Sequence, residues 1–164
     1  VNFAVVKNLP VLFICENNLY SVYSPLSVRQ PKDRKIHEMV KGLGIKSLYS
    51  DGNDPKKTFN TLMNTIQKIK SGEGPQFIEF STYRWREHCG PNYDNNIGYR
   101  SEKEFLQWKK SDPIKNIQNL IKNPKITSDI SIAVDRLVEE AFKFAEDSPF
   151  PKKSEAFEGV FAKL

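Results

Sequence analysis

Leu9-Pro10-Val11-Leu12-Phe13-Ile14-Cys15-Glu16-Asn17-Asn18-Leu19-Tyr20 is an apolar run that ends abruptly in polar residues. Val11 to Cys15 is wholly apolar and rich in strand formers, the pattern of a buried parallel strand. Asn17 and Asn18 favour a turn after it, since their amides can hydrogen-bond nearby backbone. The run is far shorter than the about 20 residues a membrane-spanning helix needs. Pro10 interrupts it, Glu16 closes it, and no small-residue cleavage pattern marks a signal peptide.

The residues before this strand, Asn2 to Asn8, read as the tail of a helix. After it comes a polar loop from Glu16 to Pro31. Lys32 to Lys41 reads as a short helix closed by Gly42 and Gly44, and Ser47 to Ser50 as a second strand. Asp54 is a good N-cap, with Pro55 at the first helical position, where a missing N–H is harmless. Phe59, Leu62, Met63, Ile66 and Ile69 then share one helical face, and Gly72 stops the helix. Gln76 to Tyr83 alternates and is rich in Phe, Ile, Thr and Tyr, so it reads as a third strand. Strand-helix-strand-helix-strand implies an α/β fold, a parallel sheet with flanking helices. In such sheets ligands bind beyond the carboxyl ends of the strands. Two polar segments, Glu16-Asn17-Asn18 and Arg84 to His88, are thereby expected on one edge.

Arg84 to Arg100 is a long loop containing Gly90, Pro91, Asn92, Asp94, Asn95, Asn96 and Gly98. Loops of that length are uncommon unless they work or move. Beyond it the chain turns helical. Ser101 and Glu104 make a capping box, and Asp112-Pro113 opens a helix that ends near Pro124. Ile130, Val134, Leu137, Val138, Ala141 and Ala145 mark an amphipathic helix from about Ser128 to Asp147. The expected organisation is residues 1–100 as the α/β part with the loop 84–100, and residues 101–164 as a helical C-terminal part.

The 164 residues are 38% hydrophobic and 27% charged, with a net charge of +5, and suit a globular chain. The small positive surplus is scattered, whereas nucleic-acid binders concentrate Lys and Arg on one face. No nucleic-acid partner and no membrane association are expected. The segment Lys32 to Lys35 and the pair Lys152-Lys153 keep a basic, non-catalytic binding module as the rival reading. Cys15 and Cys89 make neither a disulfide framework nor a zinc site. Cys15 reads as a small buried hydrophobe, and this cysteine usage suits a reducing cytoplasm, the expected location.

Three groups of residues carry a resemblance. The Leu9–Tyr20 stretch looks like the downstream half of the thiamine-diphosphate motif, a Gly-Asp-Gly followed about thirty residues later by Asn-Asn, which builds an Mg²⁺–diphosphate site. Thr82-Tyr83-Arg84-Trp85-Arg86-Glu87-His88 with Gly98-Tyr99-Arg100, and then Ser111-Asp112-Pro113-Ile114, resemble the thiamine-diphosphate loop and the segment after it. The likeness is to alpha subunits of the pyruvate, branched-chain 2-oxo acid and acetoin dehydrogenases, and it runs from Val1 to Pro151. It implies a thiamine-diphosphate-binding fold, incomplete at the N-terminus. The Asp of Gly-Asp-Gly would lie about a dozen residues before Val1, so the chain reads as a C-terminal fragment.

The resemblance also implies chemistry. Mg²⁺ takes about six hard oxygens, few of them from protein; the implied ligands here are the Asn18 amide oxygen and the Tyr20 backbone carbonyl. The implied catalytic residue is His88, contacting the cofactor's diphosphate and moving protons, as imidazoles suit. Arg84 would hold the loop or the phosphate by charge-assisted hydrogen bonds, with Tyr99 and Arg100 anchoring the loop's far end. The implied reaction is oxidative decarboxylation of a 2-oxo acid, the cofactor serving as electron sink. The acyl group passes to a lipoyl-bearing acyltransferase. A beta subunit would complete the cofactor site in a heterotetramer, and this chain alone would be inactive. Two departures stand out. The segment between His88 and Tyr99 is slightly long, and Cys89 and Gly98 stand where mitochondrial relatives carry phosphorylated serines. An acetoin-type relative, or a remnant without activity, stays open beside the main reading.

Overall fold

The computed structural model describes residues 1–161. In chain order the elements are α1 (Asn2–Val6), β1 (Leu12–Asn17), β2 (Tyr20–Ser21), β3 (Ser24–Pro25), α2 (Leu26–Arg29), α3 (Ile36–Lys41), β4 (Lys46–Asp51), α4 (Pro55–Lys70), β5 (Gln76–Ser81), α5 (Glu102–Lys109), α6 (Pro113–Leu120) and α7 (Pro124–Asp147). A 3₁₀ turn, Lys153–Phe157, comes after them. The chain forms two compact units, Val1–Leu120 and Ile121–Leu164.

The first unit is α/β. Its sheet is parallel in the order β1-β5-β4. Asn17, Ser81 and Asp51 lie in register at the carboxyl ends of the three strands. The turns after all three strands therefore open on one edge, as expected. Gly52 lets β4 and β5 close there: its N–H donates to the Ser81 carbonyl at 2.9 Å, and a Cβ would stand 2.8 Å from the Thr82 methyl.

One sheet face carries Phe13, Cys15 and Asn17 beside Phe77, Glu79 and Ser81, as the register dictates. Val40 and Ile45 pack on Phe77 at the heart of that core, with Val1, Val5, Phe13, Cys15 and Ile36 around them. On β5 the expected alternation fails. Gln76 to Phe80 is buried without interruption, because β5 is the middle strand, with α3 packed against it and α4 packed on the strands at either side. Ile78, with no exposed surface, is its most enclosed residue. Conversely β1, expected to be buried throughout, is paired on one side only, and Ile14 is half-exposed.

The helices start where their caps put them. Asp54 accepts from the Lys57 N–H at 3.0 Å, with Pro55 opening α4. α3 is shorter than the Lys32–Lys41 reading: Pro31 and Arg34 close a turn first, so helix begins only at Ile36. The polar stretch after β1 is not plain loop, since it holds the β2–β3 hairpin and α2. In the second unit α7 begins at Pro124, earlier than Ser128. Asn123 caps it through the Lys125 N–H, and Pro124 acts as a helix opener rather than a stop. Its apolar stripe, including Ile130, Val134, Leu137 and Val138, is exposed.

Candidate functional site

Two consecutive side-chain turns come after β1. The Asn17 Oδ1 accepts from the Leu19 N–H at 3.1 Å, and the Asn18 Oδ1 accepts from the Tyr20 N–H at 3.0 Å. Between them Leu19 sits at φ 68°, a left-handed conformation that costs a branched residue about 1–2 kcal/mol. Val22, at φ 54°, repeats this inside the β2–β3 turn. Such outliers persist only where the surroundings hold them, and they cluster at working sites.

The hairpin leaves oxygen ligands over. Leu26 N–H donates to the Leu19 carbonyl at 2.7 Å, so the ladder bonds flank the Tyr20–Pro25 pair rather than joining it. The N–H and C=O of Tyr20 thus point away from β3, on the side where Asn18 Oδ1 already receives the N–H. The Asn18 oxygen keeps a second lone pair. An uncharged amide oxygen and a carbonyl oxygen face one side of the turn. Oxygens of this kind are what a hard cation takes, though two are a minority of the about six it needs.

The second loop is tied to the first. Arg84 Nη2 donates to the Val22 carbonyl at 2.8 Å and to the Tyr99 hydroxyl at 3.1 Å, and its Nε reaches the Arg86 carbonyl. Tyr20 donates its hydroxyl to both carboxylate oxygens of Glu104, at 2.9 and 2.8 Å. Burial, and then Glu104, push the Tyr20 phenol well above its ordinary range, so it remains a donor. This contact takes Glu104 away from the expected capping box. Only half of that box forms, the Glu104 N–H donating to Ser101 Oγ at 3.1 Å. The Tyr99 ring packs on Tyr20 and Tyr23, with centroids 5.3 and 5.1 Å away.

Asp94 is the buried centre of the long loop. It pairs with the Arg100 guanidinium and accepts from the Tyr99 hydroxyl at 2.7 Å. Arg100 also donates to the Arg84 and Trp85 carbonyls, so both ends of the loop are held by one side chain. Tyr99 and Arg100 therefore anchor the loop as expected. Around them Tyr83 stacks on Trp108 at 5.3 Å, and Trp85 and Tyr93 set their edges against Phe105. Burial pushes the Tyr83 phenol up to about 12 despite the Arg100 guanidinium nearby. Asp94→Asn keeps the shape but removes the charge opposite Arg100, whose side chain is 1% exposed. The expected cost is about 2–3 kcal/mol, with faster proteolysis between residues 84 and 100. An unchanged urea midpoint and cleavage rate would show that Asp94 does not hold the loop.

His88 stands apart from the turn. It is exposed, with Cys89 beside it, on a short excursion that the Glu87 N–H closes onto the Asn92 carbonyl at 2.9 Å. The Glu87 carboxylate braces it through the Asn92 N–H and side-chain amide. The structure thus joins Asn18, Tyr20 and Arg84 in one network and leaves His88 at a loop tip with no hydrogen bond to them.

Two features escape a reading of the sequence. Asp94 lies among other loop polars and nothing distinguishes it. Glu79 does carry a signal, being a lone carboxylate in an otherwise apolar middle strand. It is 3% exposed and accepts from Asn17 Nδ2 at 2.7 Å, from the His37 N–H at 2.9 Å and from the His37 ring Nδ1 at 2.6 Å. Desolvation works to raise its pKa, but the hydrogen bonds from Asn17 and His37 outweigh that and hold it below the usual carboxylate range. Among the described residues no cluster of three or more His, Cys, Asp or Glu could hold a metal. No described helix is long and apolar enough to cross a membrane.

Comparison with known sequences bears on this geometry. The family described as "Dehydrogenase E1 component" matches residues 1–154. The chain is 32% identical to the 2-oxoisovalerate dehydrogenase subunit alpha of Bacillus subtilis, covering 99% of this chain and 50% of that protein. It is 30% identical to the pyruvate dehydrogenase E1 component subunit alpha of Rickettsia felis, covering 98% of this chain and 49% of that one. Against the chloroplastic pyruvate dehydrogenase E1 component subunit alpha-3 of Arabidopsis thaliana the identity is 30%, over 99% and 38%. The chain thus spans about half, or less, of the length of these relatives.

Proposed function

The chain belongs to the dehydrogenase E1 component family, and on that basis we propose that it serves in the alpha part of a thiamine-diphosphate-dependent dehydrogenase that oxidatively decarboxylates a 2-oxo acid and passes the acyl group to a lipoyl carrier. The Bacillus and Rickettsia relatives are named for 2-oxoisovalerate and pyruvate, which favours these substrate types over acetoin. The observation that carries the reading is the convergence of the Asn18–Tyr20 turn and the Arg84–Arg100 loop at the carboxyl edge of the sheet, through Arg84 to Val22 and Tyr20 to Glu104.

The residues present fit the cofactor. Asn18 Oδ1 and the Tyr20 carbonyl would hold Mg²⁺, with remaining oxygens from the diphosphate, from water and from a carboxylate outside this turn. Arg84, committed to Val22 and Tyr99, would keep the loop against that turn and lend positive charge to the diphosphate edge. His88, unencumbered at its loop tip, would donate to diphosphate oxygens and carry protons to and from the substrate oxygen. When bound, thiamine diphosphate supplies the carbanion-stabilising centre that makes loss of carbon dioxide feasible.

A beta subunit would complete the pocket and a lipoyl-bearing acyltransferase would take the acyl group, all in the cytoplasm. The test uses the full-length chain with its beta partner. Thiamine diphosphate is titrated calorimetrically with and without Mg²⁺, and carbon dioxide release is monitored from pyruvate and from branched-chain 2-oxo acids. Binding that requires Mg²⁺, with release from one substrate type, is the expected result. Binding indifferent to Mg²⁺, or no release from either, would overturn the reading.

A further inference from the structure

We infer that His37 and Glu79 are positioning residues for the Asn18–Tyr20 turn, acting through Asn17; this rests on the metal role proposed for that turn. Glu79 is a buried carboxylate, and a buried charge is tolerated only when its lone pairs are occupied. Its donors come from two elements. His37, on α3, gives both its N–H and its ring Nδ1, while Asn17 Nδ2 comes from the end of β1. Because ionised carboxylates only accept, the His37 ring faces Glu79 with Nδ1 as the donor.

That arrangement decides which way the Asn17 amide faces. With its NH₂ group on Glu79, its oxygen must point back to the Leu19 N–H, where it is found at 3.1 Å. Leu19 is the residue in the left-handed region, and its torsion aims the following Tyr20 carbonyl. Each link is therefore mechanical: His37 orders Glu79, Glu79 orients the Asn17 amide, Asn17 holds strained Leu19, and Leu19 aims the Tyr20 carbonyl. A merely structural His–Glu pair would need none of the last two contacts.

His37 is also no sealed core residue. It borders an open cleft of about 390 Å³ with Asn17, Arg34, Lys35, Tyr49 and Glu79, and its ring lies 5.4 Å from that of Tyr49. Substitution there meets solvent on one side, which limits the damage to packing.

The experiment titrates Mg²⁺ into the full-length chain with its beta partner and thiamine diphosphate, reading cofactor binding by calorimetry. His37→Leu should raise the Mg²⁺ concentration for half-saturation by up to about tenfold, the low end of the cost of losing a direct outer partner of a ligand, since His37 acts only through Glu79 and Asn17. His37→Asn, whose amide N–H can reach the position of the ring Nδ1, should return within about twofold of the parent. Should His37→Leu not fold, Asn17→Ala asks the same question from the other end and should show at least the same rise. The inference is overturned if the folded Leu variant, or Asn17→Ala in its stead, matches the parent, or if Leu and Asn variants lose affinity equally. Asn18→Ala in the same series separates the two levels. If it too matches the parent, the metal reading itself falls and this inference with it; if it alone loses Mg²⁺, only the His37 role falls.

Discussion

Asn18→Ala should raise the Mg²⁺ concentration for half-maximal thiamine diphosphate binding by more than about 100-fold, beyond the range seen on losing an outer partner of a ligand. The substitution removes the amide oxygen from the Asn18–Tyr20 turn and, with it, the acceptor for the Tyr20 N–H. Both effects act on the same cation. One ligand disappears, and the strand that presents the Tyr20 carbonyl loses a tether. Asn18→Asp separates them. It keeps the acceptor and adds charge, so Mg²⁺ binding should survive while the cofactor's anionic diphosphate is disfavoured. Calorimetric titration on the protein assembled with the beta subunit proposed for it reads both. An Asn18→Ala protein with the parent's Mg²⁺ dependence would remove the turn from the metal site. The fold is not at risk, since Asn18 lies beyond β1 and the sheet is sealed by Phe77, Ile78 and Phe80.

The parts of this molecule that can be read from sequence are those governed by local chemistry. α4 is marked by Asp54 and Pro55, because a cap and a helix opener act within one turn of chain. β1 and β5 are legible as strands, but not their places in the sheet. An apolar pentapeptide looks the same at an edge as in the middle, and only strand order shows that β5 is paired on both sides while β1, whose Ile14 meets solvent, is paired on one. The β2–β3 hairpin is hidden because its turn has no glycine or asparagine. Val22 occupies the positive-φ position instead, a choice no turn rule anticipates. The group that holds Val22 is Arg84, 62 residues further along.

The site divides in the same way. Asn18, Tyr20, Arg84 and His88 stand out through a family resemblance, and the structure draws the first three into one network. Asp94 and Glu79 do not, because their importance lies in burial. Asp94 looks like its neighbours until Arg100 and Tyr99 fold over it. Glu79 is conspicuous as a charge between Ile78 and Phe80, and the general demand that a buried carboxylate be fully paired prompts a search for its donors. That demand does not name His37, whose ring reaches Glu79 only once α3 packs on the sheet.

His88→Ala should lower kcat by about 10²–10⁴, the range for a general acid or base lost from its place, with a much smaller effect on cofactor affinity. The asymmetry comes from the geometry. Cofactor affinity is proposed to rest on Asn18 and Tyr20, and no hydrogen bond ties His88 to that turn. Its loop excursion is braced by Glu87 and Asn92 rather than by the imidazole. Removing the ring should therefore leave the loop closed and the Mg²⁺ dependence near that of the parent, while proton transfer at the substrate slows. His88→Asn discriminates between the two duties assigned to the residue. An amide can still donate to a diphosphate oxygen but cannot shuttle a proton at neutral pH, so the small affinity change should vanish while kcat stays low. The measurement is single-turnover carbon dioxide release from the saturated full-length assembly, beside the calorimetric Kd for the cofactor. If His88→Ala turns over at the parent rate, proton transfer belongs to another group. If instead both variants lose cofactor affinity as severely as rate, then His88 works by binding alone.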